Sequence, residues 1–114
     1  MPPSNRLLAV LAALMGASGV ALAAASTHLQ GGELGRTAAL FLILHAAALI
    51  AVTAQRARAA TIVGFALAAG AILFAADLAA RAFVGARLFP FAAPVGGTTM
   101  ILAWLALAVA FARL

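Results

Sequence analysis

Four stretches of this chain, each close to 20 residues long, carry almost no formal charge, and that feature decides most of what it can fold into. Leu7–Thr27 is uncharged throughout, Thr37–Ala54 is interrupted only by His45, Ala59–Ala80 only by Asp77, and Phe91–Ala112 by nothing charged. Crossing a hydrocarbon core about 30 Å thick takes about 20 helical residues. Lipid offers the backbone no hydrogen bonds, so a spanning segment must be a helix or part of a closed barrel. Barrel strands alternate polar and apolar residues, and these runs do not. The chain is therefore expected to be all-α and integral to a membrane. It reads as one domain, residues 1–114, with transmembrane helices over 7–27, 37–54, 59–80 and 91–112. The links are short, so sequential helices should be antiparallel neighbours in an up-down-up-down bundle. The longest link, Arg81–Pro90, is expected to continue the third helix until Pro90 ends it.

Charge and composition exclude several classes of function. Seven arginines and two acids among 114 residues, with 68% of the chain apolar, rule out a water-soluble monomer or a disordered tail. The arginines stand at the ends of the apolar runs and form no basic stripe, which is the pattern of membrane anchoring and not of nucleic-acid binding. With no cysteine, disulfides, thiol catalysis, thiolate-held zinc and iron–sulfur clusters are out. With the N-terminus inside, the cytoplasmic side holds Arg6, Arg56, Arg58 and Arg113, and the opposite side Arg36, Arg81 and Arg87. The positive-inside rule then favours both termini in the cytoplasm, by one charge. An alanine-rich, lysine-free composition suggests a bacterium with a GC-rich genome, by association and not by physics, and the expected bilayer is its inner membrane. Arg6, the leucine-rich run and Ala21–Ala25 also resemble a secretory signal, but the apolar run exceeds the usual signal core of about 7–15 residues. The segment is read as a retained helix.

In lipid, helix association rests on close packing of small residues. Ala12 with Gly16, Gly19 with Ala23, Ala66 with Gly70, the run Ala71, Ala75, Ala79, and Ala106 with Ala110 supply that spacing. These stripes are expected to form the seams, with Leu, Ile and Phe facing lipid. Gly96 and Gly97, near Pro94 in the opening turn of the fourth helix, are candidate packing residues, and their amides are also candidate anion ligands. Trp104 lies mid-span, away from the interfacial belt, so its indole N–H needs a partner in the bundle or in a contacting subunit.

Ionisable residues within a membrane are costly and are functional candidates by default. Here they are His28, His45 and Asp77, with Arg81 one turn beyond Asp77. His45 follows Arg36 by nine residues, roughly 13–14 Å along a helix and close to the midplane. His28, Glu33, Arg36, Asp77 and Arg81 share the opposite membrane face in an antiparallel bundle. Each also has an ordinary structural explanation. His45 needs only a hydrogen-bond partner; Asp77 and Arg81 suit a local ion pair; His28 suits the last carbonyls of its helix; Glu33 and Arg36 suit a solvated pair. No spacing matches a metal signature, no G-x-S-x-G elbow is present, and no catalytic constellation or cofactor site is expected.

Together these motifs resemble the YgdD-like (DUF423) family of small four-helix membrane proteins, a domain of unknown function. The likeness lies in Ala23-Ala24-Ala25-Ser26-Thr27-His28-Leu29, His45-Ala46-Ala47-Ala48-Leu49, Gly70-Ala71-Ile72-Leu73-Phe74-Ala75-Ala76-Asp77-Leu78, Pro94-Val95-Gly96-Gly97 and Ala103-Trp104. It departs where the family has glycines before the first histidine, here Ala and Ser, and serines and a tyrosine in the third helix, here Ala75, Asp77 and Ala79. The resemblance implies the fold and a membrane location and brings no activity with it.

The function expected from the sequence is therefore non-enzymatic: a structural or accessory subunit of a larger membrane complex. The alternative is a minimal proton-coupled transporter or channel, with His45 at the midplane and Asp77 at the mouth, or a lipid-binding protein. The expected partners are the lipid bilayer and either a larger membrane complex or a second copy of the chain, with no nucleic acid.

Overall fold

A computed structural model describes all 114 residues as four helices without a strand. The helices are α1 (Pro3–His28), α2 (Gly32–Thr53), α3 (Arg58–Phe83) and α4 (Ala92–Ala112). At 21 to 26 residues each is long enough to cross a bilayer, and all four are apolar enough to do so. The chain is a four-helix, multi-pass membrane bundle.

Three helix ends lie three or more residues outside the uncharged runs. α1 begins at Pro3, where proline fits the first helical position because that N–H has no partner in any helix. Arg6 therefore rides on the helix, its long stem able to carry the charge towards water. α2 begins at Gly32 and takes Glu33 into its first turn, where a carboxylate complements the positive helix end. α3 extends past Ala80 to Phe83 but stops well before Pro90. Gly85, at φ +82°, takes the left-handed conformation, and its N–H reaches the Ala80 carbonyl at 3.0 Å. A glycine cap, and not the proline, ends this helix.

Each helix packs on the next in sequence, and α1 also touches α3. α4 lies against α3 alone: none of its Cα atoms is within 8 Å of one in α1 or α2. Only side chains bridge from α2 to α4.

The seams are built from small residues, but the leucines do not all face lipid. Ala12, Ala38, Ala60, Ala68 and Ala71 are fully buried, and so are Leu8, Leu49 and Leu67. Each large side chain fills space that a small neighbour leaves open. A Cβ on Gly64 would lie 2.7 Å from Leu8 Cδ2, so α1 meets α3 as a leucine seated over a glycine. In a solvent as apolar as leucine itself, this interlocking supplies the dispersion contacts that hold helices together. The stripe on α3 runs through Gly64, Leu67, Ala68, Ala71, Ala75 and Leu78. Ala66 lies off that stripe and is exposed, so the Ala66–Gly70 pair is not a seam. Gly70 instead faces Gly96 of α4, where a Cβ on Gly96 would come within 2.7 Å of the Phe74 amide nitrogen and 2.8 Å of the Gly70 carbonyl oxygen.

Candidate functional site

Two residues singled out separately meet midway along the bundle. Trp104, in the middle of α4, donates its indole N–H to His45 Nε2 at 3.1 Å, across the gap between α4 and α2. The other ring nitrogen, Nδ1, donates to the Phe41 carbonyl one turn back at 2.7 Å. An indole only donates, so Nε2 must carry a lone pair and the proton sits on Nδ1. Both nitrogens of a neutral ring are thereby engaged. Phe41 stacks on His45 with ring centroids 5.8 Å apart and meets Phe74 of α3 at 4.6 Å. Phe74, Phe41, His45 and Trp104 form one row joining α3, α2 and α4. This bridge stands in for the backbone packing that α2 and α4 lack.

A double-mutant cycle measures the bridge. His45→Phe and Trp104→Phe are each expected to lower stability, with a coupling of about 0.6 and at most about 1.7 kcal/mol, the range of interhelical hydrogen bonds in membranes. Trp104→Phe should then cost almost nothing further once His45 is gone. Additive losses in a detergent-unfolding titration would show that the two side chains act separately.

Asp77 is 1% exposed although it stands near the end of its helix. Its Oδ2 lies 4.0 Å from Arg81 Nη1, a loose ion pair with a half-exposed guanidinium. Its Oδ1 accepts the Leu88 backbone N–H at 2.9 Å, which fastens the α3–α4 connection over the end of α3. Helix spacing predicts the pair with Arg81, but not the bond to Leu88. His28 is exposed at the end of α1 and makes no side-chain hydrogen bond, contrary to the expectation that it would bind the last carbonyls. Glu33 and Arg36, both exposed in the first turns of α2, form no ion pair. No three of the His, Asp and Glu side chains converge on a point that would hold a metal. Gly96 and Gly97 do not open α4 either. The helix starts at Ala92, and the Val95 N–H already bonds the Phe91 carbonyl at 2.9 Å, so their amides lie past the free first turn.

The most connected polar side chain is one that sequence reasoning passed over. Asn5, 5% exposed in the first turn of α1, donates Nδ2 to the Thr53 carbonyl at 3.0 Å and to the Gln55 carbonyl at 3.4 Å. Its Oδ1 accepts the Thr61 hydroxyl at 2.7 Å. One amide thus ties the start of α1 to the end of α2 and the start of α3, satisfying a carbonyl that the end of α2 leaves open. The Pro2-Pro3 pair was the available signal, since proline at a first helical position places Asn5 inside the helix. At the other end of α1, Ser26 is buried with its hydroxyl unpartnered, close against α2. A Cβ on Gly35 would overlap that hydroxyl, so a side chain at position 26 requires a glycine opposite.

These features define a class: a small membrane bundle whose helices interlock through small residues and are fastened by single polar contacts at three depths. The chain belongs to the family described as protein of unknown function (DUF423), whose model matches residues 15–97. That range contains His28, His45, Asp77, Arg81, Gly96 and Gly97, while Asn5 and Trp104 lie outside it. No curated protein and no solved structure matches the chain.

Proposed function

We propose that this protein is a non-enzymatic structural or accessory subunit of a larger membrane complex. We place it in a bacterial inner membrane with both termini cytoplasmic. The observation that carries the reading is that His45, Asp77 and Asn5 are each held by partners within the bundle. Both nitrogens of His45 are held, by Trp104 and by Phe41. Asp77 holds a backbone amide, and Asn5 and Thr61 hold each other. A proton carrier needs a nitrogen free to exchange with water, and His45 has none in this arrangement. The outer surfaces of α1 and α4 present Leu7, Val10, Leu14, Ile101, Leu102 and Leu105, all exposed, to lipid or to other helices. The orientation rests on four arginines against three.

Proteoliposomes of the purified chain, loaded with a pH-sensitive dye and given an imposed potential, are expected to leak protons at the rate of empty vesicles. A robust flux that His45→Ala abolishes would replace this reading with the proton-coupled one.

A further inference from the structure

The side of the bundle where α1 and α3 begin carries no acidic side chain: Glu33 and Asp77 both belong to the opposite face, and Arg6, Arg56, Arg58 and Arg113 to this one. A cavity of about 760 Å³ opens there between the start of α1, the α2–α3 turn and the start of α3. Arg56 and Arg58 line it, and neither forms a salt bridge, the one in the molecule being Asp77–Arg81. Ser4 and Gln55 add a hydroxyl and an amide whose polar atoms have no partner in the protein, while Ile62 and Phe65 continue one wall along α3 into the apolar level. The floor is the Asn5–Thr61 contact, which fixes the shape of the cavity by tying its three segments together.

Unpaired arginines with adjacent neutral donors are the chemistry of phosphate recognition, and an apolar wall leading away from them suits a hydrocarbon tail. Arginine anchors that merely snorkel need neither a cavity nor neutral donors beside them. We infer that this cavity binds a phosphate group, carried by an anionic phospholipid or free in solution, through Arg56 and Arg58. The inference is independent of the accessory-subunit reading, since a bundle acting alone or within a complex would present the same cavity.

Native mass spectrometry of the full chain, released from vesicles of equal parts phosphatidylglycerol and phosphatidylcholine, tests it. The wild-type protein should retain phosphatidylglycerol preferentially. Replacing both arginines (R56Q with R58Q) should lower that retention roughly tenfold or more, the order expected for losing a hydrogen bond between charged partners. The same charge removed from the opposite face (R36Q with R87Q) should leave retention unchanged. Millimolar inorganic phosphate that displaces the lipid identifies the free anion as a ligand, and lipid that resists displacement identifies the headgroup. Equal retention by wild type and the Arg56/Arg58 variant, or equal loss in both double variants, overturns the inference. A measurement on the wild-type chain alone guards against misfolded variants. Phosphatidylglycerol with a photoreactive headgroup should crosslink to the α2–α3 turn, and crosslinks confined to the α1–α2 or α3–α4 connections would overturn the inference as well.

Discussion

Replacing Gly96 with alanine is expected to destabilise the bundle by about 1–3 kcal/mol, while the same change at Gly97 leaves it as stable or slightly more so. The two glycines are adjacent in sequence and differ only in what they face. A Cβ at Gly96 would sit 2.7 Å from the Phe74 amide nitrogen and 2.8 Å from the Gly70 carbonyl oxygen, both backbone atoms of α3 that no rotamer change can move. The helices would have to separate, and α4 packs its backbone against no other helix. The nearest atom to a Cβ at Gly97 is Phe74 Cδ1 at 3.9 Å, an ordinary contact. Detergent-unfolding titrations followed by far-ultraviolet circular dichroism compare the two variants. Equal stabilities would mean that α3 and α4 do not cross at Gly70 and Gly96.

Asn5→Leu is expected to cost a similar amount, about 1–3 kcal/mol, by taking partners from buried polar groups. It takes the 2.7 Å acceptor from the Thr61 hydroxyl, leaving it only the Ala57 carbonyl at 3.5 Å, and strands the Thr53 carbonyl, which accepts from Asn5 at 3.0 Å. Adding Thr61→Val to Asn5→Leu removes that hydroxyl, so the double variant should be more stable than the sum of the single losses predicts. Additive losses would mean that water reaches this end of the bundle and satisfies both residues. The effect should also appear as faster proteolysis at the α2–α3 turn, because Asn5 holds Gln55 as well as Thr53.

The four spans were legible because charge is so scarce here that any long gap between charges is a crossing. Their ends were less legible. Counting uncharged residues starts α1 at Leu7 and hides Asn5, which lies before Arg6 but inside the helix that Pro3 begins. The facing of the leucines was not legible at all. When 35 of 114 residues are alanine, every helix face offers small residues, and sequence has too little contrast to show which face is buried. Only tertiary contact distinguishes Leu8, seated over Gly64, from Leu7, which is 62% exposed.

The candidate site divides in the same way. The requirement that Trp104 have a partner follows from the chemistry of an indole in lipid, and the cost of His45 at the midplane is equally local. That each is the other's partner depends on how far α4 stands from α2, a property of the whole bundle. The Asp77–Arg81 pair follows from helix periodicity, whereas the Leu88 contact follows from the path of a connection that sequence does not describe. Gly96 and Gly97 read alike as small residues near a helix start, and only the crossing with α3 tells them apart.

The most direct test of the accessory-subunit account is the apparent mass of the protein in native membranes solubilised gently, with co-migrating proteins identified by mass spectrometry. An accessory subunit is expected to run with a larger complex in fixed stoichiometry and to leave it when the outer faces of α1 or α4 are altered. Migration as a lone monomer or small homo-oligomer, with no stoichiometric companion, would contradict it.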